Sequence, residues 1–185
     1  MRHETGSESV AIRVAVPDDI PATARVFGAA FESYRRGFGV DATTLATLWT
    51  ESLAARIGST KVAVLPDGQV AGFVVTVKPG TKEHYRSPRQ GRVQSPSWRR
   101  ALGIRGLWRL PALFAPMGMA YARRRQAKDE LYVSLIGVDP GHQGRGIGQA
   151  LLCAAEAEAR EVGAGAVLLH TAASNTRARG AYARA

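Results

Sequence analysis

The chain has 185 residues and a formal net charge of +10, from 25 Lys+Arg against 15 Asp+Glu. Its 45% apolar and 22% charged fractions exclude wholesale disorder, its length suits a single domain, and its one cysteine, Cys153, excludes an internal disulfide. No apolar run approaches the ~20 residues of a membrane span, and the first residues carry acids where a signal peptide has an apolar stretch; with so little cysteine, a cytoplasmic location is expected.

In chain order, Val10–Val16 is β-branched and reads as a strand. Pro17-Asp18-Asp19 supplies an acidic N-cap candidate for a helix over Ile20–Phe31, whose Ile20, Ala24, Phe27 and Phe31 share one face. Gly37 and Gly39 break that pattern. Asp41 caps a second helix, Ala42–Ile57, with a stripe of Leu45, Leu48, Trp49 and Leu53. Lys61–Leu65 and Gln69–Val77 flank Pro66-Asp67-Gly68 as a hairpin.

From Lys78 to Lys128 there are 13 basic residues and one acid, Glu83, so this segment carries +12 and the rest of the chain −2. Its first part, Lys78–Pro96, reads as a loop; Ser97 onward and Ala112–Ala127 have helical spacing. Regular structure resumes with a strand at Leu131–Val138, a helix at Gly146–Val162, a buried strand at Ala166–His170 and a last helix at Asn175–Arg184. The alternation is that of an α/β (mixed α+β) domain.

The stretch richest in chemistry is Val138-Asp139-Pro140-Gly141-His142-Gln143-Gly144-Arg145-Gly146-Ile147-Gly148, where an apolar strand turns into a helix. A helix N-terminus presents N–H groups without intrahelical acceptors and a partial positive charge. Glycines at 144, 146 and 148 remove Cβ atoms that would hold a phosphate away from those groups, and Arg145 adds a cation. A pyrophosphate site is expected there. A dinucleotide fingerprint fits poorly, because the glycines alternate and the next strand ends in His170-Thr171 rather than an acid. No Gly-Lys-Ser/Thr of a Walker loop occurs.

As a whole, Gln143-Gly144-Arg145-Gly146-Ile147-Gly148 after Val138-Asp139-Pro140 resembles motif A of the GNAT superfamily of N-acetyltransferases, whose core is Gln/Arg-x-x-Gly-x-Gly/Ala. Ile12-Arg13 with Pro17–Ile20 is similar to the family's opening strand and helix, and Asn175–Arg179 followed by Tyr182 to its later Asn-x-x-Ala…Tyr helix. The resemblance covers roughly 10–77 and 129–185. It implies a central mixed sheet flanked by helices, acetyl-CoA as co-substrate, no metal, and direct attack of an amine on the thioester.

By the same resemblance, the backbone of Ile136, Gly137 and Val138 would bond the pantetheine arm. The N–H groups of Gln143, Gly144, Arg145, Gly146, Ile147 and Gly148 would hold the pyrophosphate, Asn175 would help hold the cofactor, and Tyr182 would protonate the leaving thiolate. Glu130 could act as general base, directly or through water, or be a solvated strand-end carboxylate. Tyr182 could equally pack its helix. Cys153 reads as a buried inert thiol, His170 as a core or second-layer residue with catalysis as the alternative, and His142 as solvated. The three tryptophans read as core or interface residues.

Two departures from the family stand out. The residues 78–128 replace a short connection and are expected to form a basic helical insertion beside the acceptor entrance. The chain also stops where the family's helix runs on into two more strands, so a truncated C-terminus lacking a closing hairpin is expected within one domain of 1–185. The acceptor would be a small-molecule or peptide amine. Nucleic acid is disfavoured because no recognition motif accompanies the charge; peripheral contact with an anionic membrane through the insertion is open, as is the oligomeric state. A different class of function is a catalytically silent acyl-CoA-binding scaffold or sensor.

Overall fold

The computed structural model describes residues 10–80, 129–171 and 175–182. The elements expected in the basic segment from 81 to 128, with Trp98 and Trp108, lie outside them. Five strands form one sheet in the order β1 (Ala11–Val14), β2 (Thr60–Val64), β3 (Val70–Val77), β4 (Glu130–Val138) and β5 (Ala166–Leu169). The first three pairings are antiparallel and β4–β5 is parallel, so the sheet is mixed, as expected. The parallel pair is joined by α4 (Ile147–Glu161), the helix a parallel crossover requires. Helices α1 (Ile20–Ala30), α2 (Glu32–Phe38), α3 (Ala42–Ala54) and α5 (Thr176–Tyr182) complete the described elements.

Alternation along the strands divides the core into two layers. On one face Phe73 and Val75 pack with Phe27 and Val26 of α1 and Leu45, Leu48 and Leu53 of α3. On the other, Val74, Leu131 and Val133 pack with Ile147, Leu151 and Ala155 of α4. Two glycines permit these contacts. A Cβ on Gly28 would lie 2.1 Å from the Ala42 carbonyl oxygen where α1 meets α3, and one on Gly72 would lie 3.1 Å from Ile147 and Leu151 of α4.

Most expected elements are present, with four corrections. Gly37 does not break the chain; it lies inside α2, and Gly39, at φ 68°, closes that helix with its N–H on the Arg35 carbonyl. A helix this short is held by packing rather than propensity. Tyr34 sits edge-on to Trp49 at 5.5 Å and Phe38 is buried beside it.

Asp19 is no side-chain cap for α1. Its buried carboxylate accepts the Val16 N–H at 2.8 Å and both terminal nitrogens of Arg13, at 2.6 and 2.9 Å. The Arg13 hydrogen bonds hold its carboxyl below the usual range. Asp41, by contrast, caps α3 as expected, accepting the Thr44 N–H at 2.7 Å.

The strand at Ala166–Leu169 is only half-buried, because β5 has a described partner on one side alone. Cys153 is exposed rather than buried; on α4 the sheet-facing positions are Leu151, Leu152 and Ala155. No helix among the described residues is long and apolar enough to cross a membrane.

Candidate functional site

The site is organised by an irregularity in β4. Opposite β3, Val75 faces Leu135 and Thr76 faces Val133, so Ser134 is the extra residue of a bulge. Its hydroxyl donates to the Val75 carbonyl at 3.1 Å. A bulge bends its strand and ends local pairing, and β5 accordingly pairs only with Glu130–Val133, finishing at Leu169. Past the bulge, the β4 edge from Ser134 to Val138 has no strand partner among the described residues on that side. Pairing between the two parallel strands thus ends at Val133, and Ser134, just beyond it, is the apex from which the open β4 edge begins.

At the far end of this edge the chain enters the glycine turn. The Asp139 N–H donates to the Ala71 carbonyl at 2.8 Å, and its Oδ1 accepts the Gly141 N–H at 2.9 Å. The Gln143 side-chain amide donates back to the Val138 carbonyl at 3.1 Å. Arg25 of α1 reaches over to Asp139 Oδ2 at 3.2 Å. His142 is half-buried rather than solvated, with Nδ1 at 3.6 Å from Asp139 Oδ1. Gly144 (φ 84°) and Gly146 (φ 80°) are both left-handed, and a Cβ at either would meet no protein atom within 4 Å. The space beside them is therefore open. The first intrahelical bond of α4 runs from the Ala150 N–H to the Gly146 carbonyl, so the N–H groups of Ile147, Gly148 and Gln149 have no acceptor within the helix.

The remaining candidates divide between two ends. Gly137 belongs to the open edge, and its missing Cβ leaves room for Phe31, whose ring would be 2.9 Å away. Glu130 starts β4 opposite Ala166, four residues before the bulge. Asn175 is exposed and accepts the Ala178 N–H at 3.1 Å, capping α5 with its side chain. Tyr182 ends α5, half-buried, and burial pushes its hydroxyl above the ordinary phenol value. It stays protonated at neutral pH, as an acid must. His170 is exposed just beyond β5, its ring edge-on to Tyr132 at 5.6 Å. No group of three or more His, Cys, Asp or Glu that could hold a metal occurs among the described residues.

Sequence reasoning missed three features. Arg25 reaches Asp139 across 114 positions, which no local pattern reveals. Ser134 carried a signal, as a small polar residue inside an apolar strand. The Gln143 side chain closes the turn, whereas only its N–H had been given a role.

Comparison with known proteins agrees with this geometry. Residues 29–185 match the model of the acetyltransferase (GNAT) family. Over 55 residues the chain is 47% identical to mycothiol acetyltransferase of Nocardia farcinica, a match covering 30% of this chain and only 18% of that protein. A GNAT family acetyltransferase from Brucella melitensis, solved with acetyl-CoA, superposes with a TM-score of 0.51 at 20% identity, covering 94% of this chain and 82% of that one. A mutant form of the BH1408 protein from Bacillus halodurans reaches 0.61 at 17% identity, over 94% and 90%. These likenesses to solved structures concern the fold, while the family match spans most of the chain. The chain belongs to the GNAT family of acetyltransferases.

Proposed function

We propose that this protein transfers an acetyl group from acetyl-CoA to an amine by direct attack, without an acyl-enzyme. The observation that carries this reading is the continuity of the open β4 edge with the glycine turn. An extended pantetheine arm adds to Ile136–Val138 as a short strand, and its pyrophosphate meets the N–H groups of Gln143–Gly148 at the start of α4. Arg145 adds charge there. From Val138 back to Ser134 is about 13 Å of strand at ~3.3 Å per residue, which brings the thioester end of the arm to Ser134, where the β4–β5 pairing has ended.

Within that arrangement the chain's own groups supply alignment and proton transfer. The neutral amine forms its bond to the thioester carbon, the C–S bond breaks with its electron pair on sulfur, and Tyr182 donates the proton that the thiolate takes up. Glu130, half-buried at the head of β4, carries the amine's proton on to solvent through water. The acceptor is a small-molecule or peptide amine. A thiol-release assay with acetyl-CoA across small amines, aminoglycosides and peptide N-termini tests the reading. Turnover with at least one class supports it, and Tyr182→Phe should then lower kcat while leaving acetyl-CoA affinity near wild type. Acetyl-CoA binding with no acetylation of any amine favours the scaffold or sensor reading instead.

A further inference from the structure

We infer that His170 is a catalytic residue of this site, the first acceptor of the amine's proton; the inference rests on the acetyl-transfer reading. Register decides its position. Leu168 pairs with Tyr132 and Leu169 with Val133, so His170 stands at the level of Ser134, where β4 bulges and the pairing ends. Glu130 lies at the other end of the pairing, opposite Ala166, about 13 Å of strand from the bulge. One candidate base is therefore at the end of the pairing beside Ser134 and the other is remote from it.

The face is settled by neighbours. Leu131 and Val133 pack toward α4, so Glu130 and Tyr132 point to the opposite side of β4. The His170 ring lies against Tyr132 and shares that side. On the open part of β4 it is the side of Leu135 and Gly137, which pack with the α1 layer. Acetyl-CoA enters from the edge and from the α4 N-terminus, which leaves the α1 side of the apex for the acceptor. Glu130 and Tyr132 are the titratable groups of β4 on this face, and β5 itself has none.

A neutral imidazole keeps one unprotonated ring nitrogen, which can accept a proton. As the amine nitrogen bonds to the thioester carbon, it passes its extra proton to His170. Sulfur leaves with the C–S electron pair and takes the Tyr182 proton. The imidazolium then returns its proton through water to the tyrosinate, or loses it by way of Glu130 to solvent while the tyrosinate takes one from solvent, and both groups are restored. The Tyr132 ring fixes the plane of the imidazole and acts as a positioning residue.

The experiment compares wild type, His170→Gln, His170→Ala and Glu130→Gln with acetyl-CoA and the most active amine of the panel. For His170→Gln, kcat/KM for the amine should fall by about 100-fold or more, the usual range for a lost general base. The rising limb of its pH profile near the imidazole value should vanish, while calorimetric acetyl-CoA affinity stays within twofold. Added imidazole should restore part of the His170→Ala rate. An unchanged profile in His170→Gln, no rescue by imidazole, or loss of the limb in Glu130→Gln instead would overturn the role of His170 and leave the transferase reading standing. Absence of acetyl-CoA binding by wild type would overturn both.

Discussion

Arg25 and Asp139 join the first helix of the chain to the turn that opens α4, through a 3.2 Å hydrogen bond between Nη1 and Oδ2. The same arginine extends Nη2 to the Val70 carbonyl at 3.5 Å, and the other Asp139 oxygen holds the Gly141 N–H. The turn is thereby fixed from both sides. Half of the Arg25 side chain is exposed, so the pair adds little stability, within ~1 kcal/mol. Its effect should appear in binding instead. Arg25→Met is expected to weaken acetyl-CoA binding by up to about fivefold with little change in melting temperature, and Asp139→Ala to weaken it further by releasing the Gly141 N–H. Calorimetric titration beside a thermal melt checks this; a large stability loss with unaltered affinity would assign the pair to folding alone.

Glu158 concerns stability. It lies buried on the sheet side of α4, where it pairs with Lys61 of β2 and accepts the Thr76 hydroxyl at 2.9 Å. Lys78 stands 3.8 Å from its other oxygen. Removing the carboxylate strands a lysine that is only 22% exposed. Glu158→Ala should therefore cost about 2–4 kcal/mol in urea unfolding. The double variant Lys61→Met with Glu158→Leu should recover most of that, since no buried charge is left unpaired and the ammonium of Lys78 is half-exposed. If the double variant is no better than the single one, the loss is one of packing.

Asp19 gives the pH dependence its sign. Hydrogen bonds from Arg13 lower its folded pKa below the unfolded value of ~3.9. The stability it contributes is therefore complete above that value and is lost as pH falls through the lowered folded pKa. Wild type should lose stability between about pH 4 and the acid limit, and Asp19→Asn should show a shallower fall over that interval while being less stable at pH 7. Urea midpoints at pH 7, 5, 4 and 3 measure both. Parallel curves for the two proteins would remove Asp19 from the account.

What was legible in the sequence follows from where the information is local. The apolar runs of β3 and β4, the Asp41 cap and the glycine spacing of residues 144–148 each depend on neighbours within a few positions, and each has its expected place in the structure. The failures have the opposite character. Asp19 had the composition of a cap but is claimed by Arg13 across the turn. Gly37 looked like a break, yet buried Phe38 and Tyr34 carry the helix through it. Cys153 sat in an apolar run, but helical rotation turns it to solvent. At the site, the glycine turn could be read from its residues, whereas the open β4 edge beyond Ser134 could not. That opening depends on a register shift at Ser134, a property of two strands paired across more than fifty residues.

The central claim is that acetyl-CoA is held at the open space beside Gly144 and Gly146, and a single substitution addresses it. Gly146 is exposed, and a side chain there meets no protein atom within 4 Å. Gly146→Glu therefore leaves the core intact, apart from backbone strain of ~1 kcal/mol at positive φ, and sets a carboxylate where the pyrophosphate lies. Acetyl-CoA titrated calorimetrically into wild type and Gly146→Glu should bind the first and lose about 100-fold or more in affinity for the second, as a like-charge contact worth several kcal/mol requires. Equal affinity in two folded proteins would contradict the account.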